Sequence, residues 1–182
     1  MHNTLVGLHL RGTIRIGAAG KVVTAFDLAR TIAIGADWCN PARGFMFALG
    51  CIQSQSCHTS KCPTGVAMQD PSRQRALVVP DKAERVYRFH QNTLKALKEL
   101  LGSAALTHPD QLGPQHVIRR VSSTEVRSLA ALRHFVRAGE LLGDTSEHPV
   151  LKMFWPQANP DSFAAALAAR IADEQALIKV LS

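Results

Sequence analysis

A chain of 182 residues, 46% hydrophobic and 19% charged, has the composition of an ordinary soluble protein and the length for one domain with a real core. No apolar run approaches the roughly 20 residues that a bilayer crossing needs. Residues 1–10 carry two histidines and no basic n-region, so no secretory signal is expected and the chain is expected in the cytoplasm.

The net charge of +7 raises nucleic acid as a partner. The bases, however, are spread singly or in pairs from Arg11 to Lys179, and Tyr87 is the only tyrosine. A row of stacking aromatics is therefore absent and nucleic acid is not expected.

In chain order, "GTIRIG" (12–17) alternates apolar and basic residues between glycines and predicts a short strand. After "AAGK", Thr24 is the expected N-cap of a helix, with Asp27 completing a variant capping box and Gly35 closing it in a left-handed turn. "ADWCN" predicts a buried strand carrying Trp38 and Cys39 as core residues, and the turn Pro41–Gly44 leads into a further helix over "FMFALG". This order is a βαβ unit with a polar loop at the carboxyl end of each strand.

A cysteine-bearing loop spans 51–65, and "DPSRQRALVVP" reads as a connector. A long helix is expected from Asp81, with Glu84 completing the box "DKAE", to Gly102. Its predicted buried stripe is Ala83, Val86, Tyr87, His90, Leu94, Leu97 and Leu101. "SSTEVRSLAALRHFV" predicts a helix capped by Ser122 or Ser123, residues 141–162 read as irregular, and "SFAAALAARIADEQALIKVL" predicts a C-terminal helix.

The chemistry concentrates in "CIQSQSCHTSKCPTG". Cys51, Cys57 and Cys62 are three of the four cysteines, spaced C-x5-C-x4-C. Structural disulfides are rare in reducing compartments, so the spacing points to metal or redox chemistry. Structural zinc sites prefer four ligands in close pairs. Here the pairs are absent, and His58, the available fourth ligand, adjoins Cys57. Three thiolates suit an iron–sulfur cluster lacking one corner iron, and Pro63 follows the last cysteine as in ferredoxin loops. Incidental free thiols and a zinc site remain the alternatives.

Upstream, Gly17-Ala18-Ala19-Gly20-Lys21 lies between strand and helix, where backbone N–H groups and a helix dipole favour a phosphate. Arg43 adds a bidentate cation and Gly44 permits close approach. The pair of loops is similar to the phosphate site after strands 7 and 8 of a (β/α)8 barrel, and matches neither the Rossmann nor the P-loop pattern.

From "IRIGAAGK" through "ALGCIQSQSCHTSKCPTG" to "RALVVPDKAERVYRFHQNTLKALKELLG", the chain resembles the FMN-binding domain of the glutamate synthase family. The resemblance covers roughly residues 5–120, and its most specific part is the cysteine spacing. It implies an α/β fold that is the C-terminal portion of a (β/α)8 TIM barrel, its last two strands, followed by a mostly helical tail. Residues 1–70 would hold the last βα units with the iron–sulfur loop at 51–62, residues 71–120 a connector and covering helix, and residues 121–182 a helical extension.

By the same resemblance, Gly17, Ala18, Ala19, Gly20, Lys21, Arg43 and Gly44 would bind the FMN phosphate. Cys51, Cys57 and Cys62 would ligate a 3Fe–4S cluster. The implied reaction reduces 2-iminoglutarate, formed from 2-oxoglutarate and ammonia, to L-glutamate, with ferredoxin or an NAD(P)H-linked subunit as electron donor. An FMN-dependent barrel oxidoreductase with another substrate stays open. A barrel needs about 250 residues, so the expectation is a C-terminal fragment, inactive alone, with an exposed apolar face and no catalytic residue of its own. The rest of the barrel would come from an upstream segment, and the full-length parent could carry a membrane-associating N-terminal segment.

Overall fold

The computed structural model describes residues 1–143 and 147–161. In chain order the regular elements are α1 (His2–Gly7), β1 (Gly17–Ala19), α2 (Ala25–Ala33), β2 (Trp38–Asn40), α3 (Ala42–Leu49), α4 (Pro71–Gln74), α5 (Val79–Ser103), β3 (Ile118–Arg120), β4 (Val126–Ser128), α6 (Leu129–Leu132) and α7 (Pro149–Phe154). They form two compact units, one of residues 16–128 and one of 1–15 with the described residues from 129 onward. The expected C-terminal helix lies outside the described residues. None of the described helices is long and apolar enough to cross a membrane.

The larger unit is built on β1–α2–β2. Asp37 pairs with Ile16 reciprocally: the Ile16 N–H donates to Asp37 Oδ2 at 2.6 Å and the Asp37 N–H to the Ile16 carbonyl at 2.8 Å. From there β1 and β2 run parallel, Gly17 opposite Trp38 and Ala19 opposite Asn40. The strand begins five residues later than "GTIRIG" predicts, because Thr13 and Ile14 donate back to the Leu10 carbonyl and close residues 10–14 into a turn. The expected capping box is present: Thr24 Oγ1 accepts from the Asp27 N–H at 3.1 Å, and Asp27 Oδ2 accepts from the Thr24 N–H at 3.0 Å. Gly35 follows with φ +111°, the left-handed turn that glycine favours.

The core joins α2 to α5 through buried Ala25, Ala29, Leu97 and Leu101, with Leu28, Ala96, Leu100, Leu106 and Leu112 packed around them. Small alanines on α2 let the leucines of α5 approach closely. On the same helix, Phe89 meets Phe45 of α3 edge-on at 5.6 Å, and His90 tilts against Phe45 at 5.8 Å. α5 thus turns a different face inward than the predicted stripe. Leu97 and Leu101 are buried, whereas Tyr87 is 59% and Leu94 44% exposed, and Ala83 and His90 are exposed too.

The helix also starts at Val79 rather than Asp81, without a side-chain cap, since Pro80 in the first turn has no N–H to satisfy. Among the described residues no large side chain is fully buried. Among the described residues the strands make two separate two-stranded sheets and no closed barrel.

Two further expectations are corrected. Of the helix expected over 122–136, only α6 (Leu129–Leu132) is helical; residues 122–128 are instead the turn and second strand of a hairpin, β3 antiparallel to β4. Val121 and Ser122 both donate to the Glu125 carbonyl and Ser122 Oγ accepts from the Thr124 N–H, so local hydroxyl bonds outcompete helical ones. The stretch read as irregular contains α7, capped by His148, whose Nδ1 accepts from the Val150 and Leu151 N–H groups at 3.2 Å. In that smaller unit α1 is tied by the Gly139 N–H to the Val6 carbonyl and by Asn3 to the His134 carbonyl. Gly7 of α1 lies directly against Leu141.

Candidate functional site

Within the larger unit, a cavity of about 440 Å³ opens where the carboxyl ends of β1 and β2 meet the cysteine loop. Ala19, Gly20, Lys21 and Val22 form one wall, and Asn40, Ala42, Arg43, Met46 and Phe47 a second. Cys51, Gln53, Gln55 and Cys57 form the third. Four of these residues hold left-handed backbone: Gly20 at φ +94°, Lys21 at +54°, Gln53 at +55° and Gln55 at +58°. Only glycine adopts that region freely, so three of the four carry a local conformational cost beside the cavity.

The structure separates the predicted phosphate residues into two groups. Ala19, Gly20, Lys21 and Arg43 line the cavity, and a Cβ on Gly20 would meet nothing within 4 Å. Gly17 and Ala18 sit in β1 and do not line it. A Cβ on Gly17 would stand 2.6 Å from the Trp38 indole, so this glycine makes room for a half-exposed tryptophan that was expected in the core.

Gly44 is likewise off the wall. It lies in the first turn of α3, not in a preceding loop, and a Cβ there would stand 3.0 Å from the Phe89 ring. Its lack of a side chain serves the packing of α3 on α5 rather than approach to a ligand. α3 begins at the cavity with no side-chain cap. Its first N–H groups, which no intrahelical carbonyl can reach, are thus open to a ligand.

The loop places two of the three cysteines together. Cys51 and Cys57 line the cavity, whereas Cys62 does not, and is buried elsewhere in the unit. The Thr64 hydroxyl, 3.5 Å from Cys62 Sγ, and the N–H groups of Ala67, Thr64 and Val66 lower its pKa to about 7 against the opposing effect of burial. That shift brings the thiolate, the ligating form, within reach near neutral pH. Cys39, on β2, is half-buried and its thiol is pushed up by burial, the behaviour of a small packing residue. His58 is exposed. Among the described residues no three His, Cys, Asp or Glu side chains stand close enough to hold a metal ion.

Asn40, Gln53 and Gln55 were not anticipated. The signal for the glutamines was the spacing itself: positions 51, 53, 55 and 57 alternate onto one side, while Ser54 and Ser56 bond each other at 2.9 Å.

The polar lining comprises two cations and three carboxamides, with no carboxylate, and so suits an anionic ligand bearing neutral polar groups. That donor set and the open space over Gly20 fit the phosphate of FMN. For a 3Fe–4S cluster the donors are of the right kind, but their arrangement gathers two of three.

Residues 1–107 match the model of a conserved region in glutamate synthase. The chain is 38% identical over 125 residues to a glutamate synthase large subunit-like protein of Bacillus subtilis, covering 69% of this chain and 24% of that protein. It is 33% identical over 117 residues to the archaeal glutamate synthase (NADPH) of Methanocaldococcus jannaschii, covering 64% and 23%. With the glutamate synthase (NADPH) large chain of Azospirillum brasilense the identity is 27% over 127 residues, covering 64% and 8%. The chain thus spans a quarter or less of the length of these relatives. With more than half of its residues inside that conserved region, the chain belongs to the glutamate synthase family.

Proposed function

We propose that this chain forms the phosphate-binding and thiol-bearing end of a glutamate synthase-type flavoenzyme. The observation that carries the reading is the single cavity that joins the glycine loop after β1, the uncapped start of α3 and the cysteine loop. Backbone N–H groups around Gly20, together with Lys21 and Arg43, hold the FMN phosphate. Gly17, Ala18 and Gly44 act behind them, by fixing β1 against β2 and α3 against α5. Cys51, Cys57 and Cys62 would ligate a 3Fe–4S cluster only if the loop between Cys57 and Cys62 moved the third sulfur, which does not line the cavity in this structure, toward the other two.

When bound, FMN supplies two-electron reduction and the cluster single-electron relay. The whole enzyme reduces 2-iminoglutarate, made from 2-oxoglutarate and ammonia, to L-glutamate. Its electrons come from ferredoxin or an NAD(P)H-linked subunit. Relatives named as ferredoxin-dependent and as NADPH-dependent glutamate synthases support that pair of donor classes. In this scheme the chain's own residues bind and orient, and none of them is assigned a proton transfer.

The test is metal and flavin content after anaerobic reconstitution with iron, sulfide and FMN. About three irons and about four labile sulfides per chain are expected, with one FMN. Cys57→Ser is expected to abolish the visible absorbance and the low-temperature EPR signal, and Arg43→Ala to weaken FMN binding by about 1.5–3 kcal/mol. Zinc in place of iron would overturn the cluster assignment, and an unchanged FMN affinity would remove Arg43 from the site.

A further inference from the structure

We infer that Gln53 and Gln55 bind the neutral polar part of the ligand whose phosphate the opposite wall holds. This rests on the proposed function. Both cations of the cavity, Lys21 and Arg43, lie on the β1 and α3 walls, and the cysteine loop contributes only thiols and two carboxamides. A carboxamide offers one acceptor and two donors, the complement of hydroxyls and ring carbonyls rather than of a phosphate dianion. Neither glutamine side chain has a hydrogen-bond partner among the described residues, and both hold the left-handed backbone that presents them with Cys51 and Cys57 on one side of the loop. Between them, the Ser54–Ser56 hydroxyl pair keeps the even-numbered residues on the other side. Both residues are solvent-exposed, so water satisfies their carboxamides in the free protein; their place on the cavity wall, in backbone disfavoured for glutamine, sets those groups where a ligand can take over the bonds.

The experiment titrates FMN and riboflavin into the reconstituted chain by flavin fluorescence, comparing the wild type with Gln53→Leu/Gln55→Leu, Gln53→Gly/Gln55→Gly and Arg43→Ala. Both glutamine pairs are expected to lose about tenfold in affinity for FMN and for riboflavin alike, as two neutral hydrogen bonds would give. Arg43→Ala is expected to weaken FMN alone. The glycine pair accepts the left-handed backbone without penalty, so it keeps the test open if the leucine pair folds poorly. Wild-type binding of FMN with unchanged affinity in the glycine pair would overturn the inference and leave the proposed function standing. A loss confined to FMN would move the glutamines to the phosphate and overturn it as well. Failure of the wild type to bind FMN would overturn both readings.

Discussion

Gly65→Ala and Gly20→Ala place the same methyl group on two left-handed glycines, and the surroundings predict different outcomes. At Gly65, φ is +75°, so alanine there costs about 1 kcal/mol from the backbone alone. Its Cβ would also stand 2.5 Å from the Arg73 carbonyl oxygen, 3.0 Å from that carbonyl carbon and 3.4 Å from Gln74 Cα. These are backbone atoms of α4 and cannot rotate away. α4 is in turn clasped to the cysteine loop by Arg73, which donates to the Lys61 carbonyl at 3.4 Å, and to the segment after it by Gln74, which donates to the Met68 carbonyl at 2.7 Å. Relieving the overlap shifts that clasp, and the expected loss rises to about 2–3 kcal/mol, the range for strain imposed at a packed position. At Gly20, φ is +94° but the methyl meets nothing, so about 1 kcal/mol is expected. Urea unfolding followed by circular dichroism at 222 nm reads both midpoints. Equal losses, or a smaller loss at Gly65, would refute the argument from the Arg73 carbonyl. The functional readouts should invert the order, with Gly20→Ala weakening FMN binding more than Gly65→Ala does.

Thr24→Ala removes the capping box of α2 and should cost about 1 kcal/mol, seen as a lower urea midpoint; no change would mean the box is made equally well by water. The Asp27 carboxyl is held below its usual range by the Thr24 N–H first, then by the Thr24 hydroxyl, the Val23 N–H and Arg30, against the opposing effect of burial. Because the folded pKa is the lower one, this contribution is complete above the unfolded value of about 4 and is lost as pH falls through the folded pKa. Asp27→Asn should therefore flatten the acid limb of stability against pH, and equal limbs in both proteins would reject the linkage. Leu97→Ala empties the centre of the α2–α5 core, where Leu97 is 7% exposed, and should cost about 2–4 kcal/mol by the same unfolding assay. A loss below about 1 kcal/mol would show that the site collapses around the smaller side chain.

What the sequence made legible was chemistry contained within a few consecutive residues. Thr24 with Asp27 announces a cap and Gly35 a left-handed stop, because each depends on neighbours along the chain. The hairpin at 118–128 escaped the helical pattern because Ser122 and Thr124 satisfy the backbone locally, a choice that periodicity does not report. Gly17 and Gly44 were legible as glycines that matter but not for the right reason. The groups that fill their missing side chains, Trp38 and Phe89, arrive from other elements. The place of Gln53 and Gln55 appears only once the loop's alternation sets them beside Lys21 and Arg43 across one cavity.

The distribution of packing explains why ligand and fold should be linked here. Three-residue strands in a two-stranded parallel sheet cannot stand alone. The position of β1 and β2 therefore depends on α2, which holds them through the α2–α5 leucine and alanine core. The cavity walls lie at the edge of that core and include three non-glycine residues in left-handed backbone. Such segments open at low free energy. A ligand that binds only the closed arrangement adds its binding free energy to stability, about 2.7 kcal/mol at a hundredfold excess over Kd. FMN should therefore raise the unfolding midpoint of the wild type by more than that of Gln53→Gly/Gln55→Gly, whose loop no longer grips the ligand. Identical shifts in the two proteins would place the grip on the β1 and α3 walls alone.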